Sequence, residues 1–504
     1  MNINKVEMIL TAAVFPTVPE ADSLAIGEGR ILALGRSETI LPLAQEGTRT
    51  IPLQGKALLP GFIDAHTHLL SVGLKEIGWE IDLSGRSRED VLTQLADVAH
   101  ERGKGEWVIA RGWDESSWKE RAYLTRTELD RIAPTNPVVA VRVDGHLLIA
   151  NSAALAKIPP HANPKLIDRA RGFVREEAAF TFQRSIEPEE ETLREGLHAA
   201  TASAHRLGIT SVHTMEPADR LKLYLNERGK IRLRVTLYPK VPCIDALKTF
   251  GIRSGGGDDW LRIGGVKLFA DGSIGAGNAA LGAPYADSGE TGALNYTDEA
   301  LFSIIRRADE AGLQTVVHAI GDRGIEQVLR AHSTIRTSKT LRHRIEHFEL
   351  PTPPQIERAA RLGLHLSMQP NFVGNWSGEG SLYEKRLGKD RDQQSDPHRL
   401  VVDAGIPLAF GSDCMPISPL YGLHWAVNAP HPAQRVTVEE GIACYTTMGA
   451  HFSFEEDTKG KLAPGMLADL VILNKDPRRV SGRIADVQVE TTIVGGEVVY
   501  QKES

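Results

Sequence analysis

The stretch Leu58-Leu59-Pro60-Gly61-Phe62-Ile63-Asp64-Ala65-His66-Thr67-His68-Leu69 decides how the rest of the chain is read. Phe62 and Ile63 follow a Pro-Gly turn signal in a short apolar run, the pattern of a buried strand. His66 and His68 lie two residues apart on it, and side chains at i and i+2 of a strand share one face. Both imidazoles then point the same way, as a metal with nitrogen and oxygen ligands requires. Asp64, on that face, is placed to orient them or to join them. Two histidines near a strand end also fit a plainer role as polar groups satisfied in a crowded core, so the pair needs further ligands from elsewhere in the chain.

Working outward, strand-like and helix-like segments alternate, as in βα units around a parallel sheet. After the strand ending at His68, the candidates are Gly208–His213, Leu233–Tyr238, Ile263–Phe269, Leu313–His318, Arg342–His347, Leu364–Gln369 and Leu408–Asp413. Eight parallel strands with intervening helices predict an α/β fold of the (β/α)8 TIM-barrel type, whose active site sits at the C-terminal ends of the strands. The barrel is expected over 58–76 and 207–456. About 140 residues separate His68 from the next strand, so 77–206 is read as an insertion that leaves the catalytic end of strand one and covers the active site. Both ends of the chain, 1–57 and 457–504, are rich in short apolar runs broken by Gly and Pro, and are expected to pair into one composite, sandwich-like β domain.

The chain has 504 residues, 41% of them hydrophobic, enough to bury more than one core. A net charge of −7 with dispersed Lys and Arg gives no footprint for nucleic acid or an anionic membrane, which leaves a small-molecule substrate as the expected partner. A homodimer is an open alternative to a monomer. Cys243, Cys414 and Cys444 stand far apart without CxxC spacing, so neither a disulfide framework nor a thiolate zinc site is predicted. With no signal-peptide layout and no apolar run of about eighteen residues, a cytoplasmic location is expected.

In barrel register, ligand-type residues recur near strand ends: His66 and His68 on strand one, Lys267 on four, His318 on five, His347 on six and Asp413 on eight. Each has a plainer alternative. The two later histidines could be core residues, Lys267 could pair with Asp271, and Asp413 could cap a helix. Five strands delivering such residues to one face favour a shared site.

The chain resembles the amidohydrolase superfamily, in its YtcJ-like branch that includes N-substituted formamide deformylases. The resemblance rests on Leu59–His68, on Asp144-Gly145-His146 with Asn151–Leu155, and on Lys267–Ser273. It extends to His318–Arg323, Ile345-Glu346-His347, Gly411-Ser412-Asp413 and the terminal Gly460–Gly465 and Ala468–Leu470. It implies one or two divalent ions, zinc first with manganese or iron as alternatives, held by His66, His68 and Asp413 and by His318 and His347. A carboxylated Lys267 would bridge them. Water acidified there would attack a non-peptide C–N bond as hydroxide, with Asp413 and His318 as catalytic groups and His146 polarising the carbonyl. A deaminase or an ester or lactone hydrolase on the same scaffold is the alternative; a metal-free scaffold relative would be expected to lose ligands.

His213, Arg323 and Glu346 are candidates for supporting or substrate-facing roles. Trp113, Asp114 and Asp144 in the insertion, and Tyr285, Arg323 and Trp376 on barrel loops, are candidate substrate-binding residues. For Trp113 and Trp118 the alternative is the insertion's own core.

Overall fold

The computed structural model describes residues 5–115, 118–120, 122–142 and 147–503. It divides into two compact units, one made of Met1–Leu69 with Thr201–Ser504, the other of Leu70–Ala200.

In the first unit, the eight strands anticipated above are present: β1 (Phe62–Thr67), β2 (Ile209–Glu216), β3 (Arg234–Pro239), β4 (Gly265–Phe269), β5 (Gln314–Ala319), β6 (Arg344–His347), β7 (His365–Met368) and β8 (Leu408–Phe410). β1, β2 and β3 pair in parallel in that order, and β4 to β8 form a second parallel series. The two series meet at both ends. Beside β3 and β4, a parallel bridge joins Lys240 and Lys267, and Gly264 N donates to Leu237 O at 2.9 Å. Beside β8 and β1, Asp413 N donates to His66 O at 2.8 Å and Ser412 N to Asp64 Oδ1 at 2.9 Å. Most strand residues are buried, as parallel strands covered on both faces must be.

The fourth expected strand is split into Leu261–Ile263 and Gly265–Phe269. A Cβ on Gly264 would lie 2.2 Å from Tyr238 Cζ, so the close approach of that ring requires glycine and the ladder breaks there. Helices Asp298–Glu310, Asp322–Ile335 and Pro353–Leu362 follow β4, β5 and β6.

The chain ends form two four-stranded sheets. One orders Arg30–Gly35, Ser23–Gly27, Met8–Thr11 and Arg49–Pro52; the other orders Glu497–Gln501, Val489–Val494, Leu470–Leu473 and Ala57–Pro60. Leu10, Leu24, Ile26, Leu58, Leu470 and Ile493 share one apolar cluster, which binds the two ends of the chain together. A buried ion pair ties this layer to β3: Arg234 Nε and Nη2 lie 2.5 and 2.9 Å from the Asp469 carboxylate.

In the second unit, six strands order as Ile167–Asp168, Phe173–Arg175, Leu147–Ala150, Val138–Arg142, Val108–Trp113 and Glu80–Asp82. The unit begins earlier than the expected 77, directly after β1, and ends near 200 rather than 206. Its first helix, Leu69–Glu76, packs glycine to glycine on Glu190–Arg206: a Cβ on Gly73 would meet Gly196 O at 1.7 Å. Among the described residues no helix is long and apolar enough to cross a membrane.

Candidate metal centre

β1 delivers two imidazoles with opposite surroundings. His66 is almost fully buried; its Nδ1 is hydrogen-bonded to Glu346 Oε2 and its Nε2 lies 3.7 Å from Asp413 Oδ1. His68 is partly exposed; its Nδ1–H donates to Met215 O at 3.0 Å and its Nε2 lies 3.3 Å from the same Asp413 oxygen. Both rings therefore direct Nε2 at Asp413, as the i, i+2 spacing requires. Asp64 does not join them. Its Oδ1 accepts from the backbone N–H of His66 and of Ser412, so it ties the end of β1 to the turn after β8.

Asp413 and His347 reach the centre through backbone geometry that side chains rarely adopt. His347 and Phe348 have φ of 70° and 52°, Asp413 and Cys414 of 47° and 63°. Left-handed non-glycine residues cost about 1–3 kcal/mol each and persist where surrounding structure over-determines them, typically at functional sites. The strain has a visible result at His347. Strict alternation along β6 would put His347 on the face opposite Glu346, yet its ring lies 4.9 Å from that of His66 and 4.5 Å from that of His318. Ligand atoms of His66, His347 and Asp413 all fall within 4.8 Å of one another.

His318 sits at the end of β5 with Nε2–H donating to Gly272 O at 2.9 Å, which leaves Nδ1 as the nitrogen with a free lone pair. Lys267 on β4 is 2% exposed, and its Nζ has no hydrogen-bond partner; it lies 4.9 Å from the centre of the Phe269 ring. The alternative pairing with Asp271 is not made. That carboxylate accepts from the backbone N–H of Ala280, Ile320 and Gly321 instead.

The electrostatics of this set suit a cation. Burial, reinforced by Lys267, pushes His66 down to about 4 and His318 to about 3, and burial pushes His347 well below the usual imidazole range. These rings are neutral and carry lone pairs. Burial opposes charge on Asp413, but its hydrogen bond to His68 and the neighbouring imidazoles outweigh it and hold the carboxyl far below the usual range. Burial lowers Lys267 to about 8. Neutral imidazoles, an ionised carboxylate, an orphaned His347 Nδ1 and an orphaned lysine nitrogen fit one or two divalent ions, with His68 as a further ligand through Nε2.

Other expected site residues fall elsewhere. Trp113 is a correction: it is fully buried in the core of the 70–200 unit, stacked on Trp118 with ring centres 5.6 Å apart, and its Nε1–H is satisfied by Ala140 O at 3.0 Å. It packs that core. Tyr285 is likewise buried, its hydroxyl 3.4 Å from Ser273 O and Ala279 O. Arg323 has an exposed side chain, and its backbone N–H donates to Ala280 O. Asp114 is half-exposed and pairs with Arg142 at 3.8 Å. Trp376 is half-buried and lies 4.7 Å from Phe372, whose ring in turn stacks 5.9 Å from His347, so of the expected substrate residues it stands in an aromatic chain that leads to the centre. Asp144 and His146 lie outside the described residues.

Arg344 is the participant the sequence reading passed over. It is fully buried and holds Glu346 in a two-pronged ion pair at 2.9 and 3.0 Å. The signal was present: Arg and Glu at i, i+2 of a strand covered on both faces must be paired with each other or with something functional.

The profile described as Amidohydrolase family matches residues 49–500. The chain is 30% identical over 489 residues to YtcJ of Bacillus subtilis strain 168, whose name assigns it to the amidohydrolases; the match covers 90% of this chain and 91% of that one. It is 26% identical over 531 residues to an N-substituted formamide deformylase of Arthrobacter pascens, covering 96% and 95%. A solved metal-dependent hydrolase from Pyrococcus furiosus superposes with a TM-score of 0.80 at 29% identity, covering 94% of this chain and 99% of that one.

Proposed function

Because the chain belongs to the amidohydrolase family, and so to the hydrolases of carbon–nitrogen bonds other than peptide bonds, we propose that it hydrolyses the amide or N-acyl bond, N-formyl included, of a small molecule at the His66–His347–Asp413 centre. The observation that carries the reading is the convergence of these three donors within 4.8 Å, beside a buried lysine nitrogen with no partner. His66, His68 and Asp413 would hold one ion and His318 and His347 a second, zinc before manganese or iron. Lys267, as its carbamate, would supply an oxygen to each. The β1–β3 and β4–β8 series would close as a (β/α)8 barrel, with the centre at its C-terminal rim.

When bound, divalent ions supply Lewis acidity, lowering the pKa of a water and polarising a carbonyl. The chain's own residues do the rest. Asp413, held ionised, accepts a proton from water and passes it to the departing amine. Before an ion binds, His68 Nε2–H, 3.3 Å from Asp413 Oδ1, keeps that carboxylate turned toward the centre; as a ligand it would give up that proton. Lys267 loses its proton more easily than a free lysine, and the neutral amine is the form that takes up carbon dioxide. The name of the Arthrobacter relative places an N-formyl compound first among substrates to try.

The test strips metal with a chelator, restores zinc, manganese or iron with bicarbonate, and measures turnover on a panel of N-formyl, N-acyl, cyclic amide, amidine and ester compounds. Metal-dependent cleavage of an amide-type member is expected. Turnover confined to amidines would move the reaction to deamination, turnover confined to esters would move it to the ester and lactone class, and turnover indifferent to metal removal would contradict the proposal.

A further inference from the structure

The centre has a floor as well as ligands. Arg344 and Glu346 both have 0% exposed side chains, two residues apart on β6. A buried ion pair is a weak source of stability, since desolvating two charges offsets most of their attraction and an apolar pair of similar volume is often at least as stable. The geometry shows what else this pair does.

The guanidinium reaches three further strands. Its Nη2 donates to Ala65 O at 2.8 Å, the carbonyl next to His66 on β1; its Nη1 donates to Tyr238 Oη on β3 at 3.1 Å and to His213 Nδ1 on β2 at 3.1 Å. Glu346, gripped by that guanidinium, accepts from His66 Nδ1. The two imidazoles thus meet the same pair with opposite polarity. His213 has its Nδ1 lone pair taken by a donor. His66 has its Nδ1 proton taken by an acceptor, and its Nε2 lone pair is turned to Asp413.

We propose that Arg344 and Glu346 are positioning residues of the metal centre, which fix His66 as its Nδ1–H tautomer and present its Nε2 as a ligand before any ion arrives. This rests on the reading of the centre as a metal site. The same hydrogen bond makes His66 a stronger donor, and carboxylate partners of this kind typically change metal affinity about 10–100-fold.

The test has two parts, both on the full chain. In the first, the ring nitrogens of His66 are assigned by 15N NMR in metal-free wild-type protein, with His66→Gln identifying the signal. A protonated Nδ1 and a bare Nε2 are expected; a protonated Nε2 overturns the proposal without any variant having to fold. In the second, zinc affinity is measured by competition with a chromophoric chelator for wild type, Glu346→Gln and Arg344→Lys. Glu346→Gln keeps the acceptor oxygen and loses the charge; Arg344→Lys keeps the charge and loses the fork. A 10–100-fold weaker zinc affinity is expected for Glu346→Gln, with a smaller loss for Arg344→Lys. A variant that melts at the wild-type temperature and binds zinc within twofold of wild type overturns the proposal. Wild-type protein that binds no zinc, manganese or iron would fail the metal-centre reading itself, and the NMR result separates the two failures.

Discussion

His66 and Lys267 face the same centre in opposite states of completion. His66 has each nitrogen assigned, Nδ1 to a carboxylate that is itself held by a guanidinium and Nε2 to the side of Asp413. Lys267, equally buried, has an amino group that touches only the face of an aromatic ring. A buried polar group without a partner costs of order 1–3 kcal/mol, a cost that Lys267 carries and His66 does not. The difference teaches where preorganisation ends. β1 and β6 are set in advance, while β4 supplies a reactive group that its surroundings do not satisfy.

The comparison breaks most visibly at Asp413, which both sides share. Asp413→Asn keeps an oxygen ligand but cannot accept a proton, so turnover on a cleaved substrate should fall about 10³-fold or more while metal is retained. His66→Ala should abolish turnover and lower the metal content, and in the metal-free state it should also lower the thermal midpoint, because buried Glu346 loses its donor and the ring leaves a cavity. Metal analysis beside steady-state kinetics checks both, and near-normal kcat in Asp413→Asn would remove it as the base.

A residue whose groups are already satisfied, far from any ligand role, sharpens the contrast from the other direction. Trp113→Ala should destabilise the 70–200 unit by about 3–5 kcal/mol through the cavity it leaves, with zinc affinity unchanged. Denaturant unfolding followed through the remaining tryptophans measures the loss. Unchanged stability with an altered KM would return Trp113 to the pocket.

At Lys267 the two states predict opposite signs. Lys267→Met removes an unpartnered buried amine, so the metal-free variant should be more stable than metal-free wild type by about 1–3 kcal/mol, even as activity is lost. Calorimetry of the two metal-free proteins decides it, and a destabilised variant would mean that Lys267 is already partnered. Lys267→Ala should recover part of its turnover when a short carboxylate such as formate or acetate is added.

The last effect is confined to acid pH and is expected at His398, a buried imidazole whose Nδ1–H donates to Gln434 O at 2.9 Å. Burial lowers it to about 4, against 6.5 for a free imidazole. The folded state therefore binds the proton less readily than the unfolded one. Its contribution is complete above pH 6.5 and is lost as pH falls from there toward 4, at about 1.4 kcal/mol per unit. His398→Phe should flatten that limb of the stability profile by one proton; an unchanged slope would place the acid sensitivity elsewhere.

Much of this centre was legible in the sequence because strand periodicity is strict. His66 and His68 share a face by spacing alone, and the apolar run before His318 marks a parallel strand buried on both sides. His347 is a different matter. Alternation alone would have sent it away from Glu346, and the left-handed turn at 347 and 348 that brings it back has no glycine to announce it. Arg344 was hidden by its company, one basic residue in a run with Arg342 and His343, although those two serve other partners: Arg342 pairs with Glu456 and His343 with Asp309. Trp113 misled for a plain reason. An aromatic beside acid groups looks the same in sequence whether its indole N–H meets a substrate or, as here, a backbone carbonyl. The Gly73–Gly196 approach that binds the first helix of the second unit is a contact between residues more than a hundred positions apart, which spacing along the chain does not announce.

The most direct test is a crystal structure of protein loaded with zinc in the presence of bicarbonate, with an anomalous map collected at the zinc edge. The account predicts an anomalous peak within coordination distance of His66 Nε2, His347 and Asp413, and density for a carboxylate beyond Lys267 Nζ. A map with no peak among those three residues, and Lys267 still a bare amine against Phe269, would contradict it.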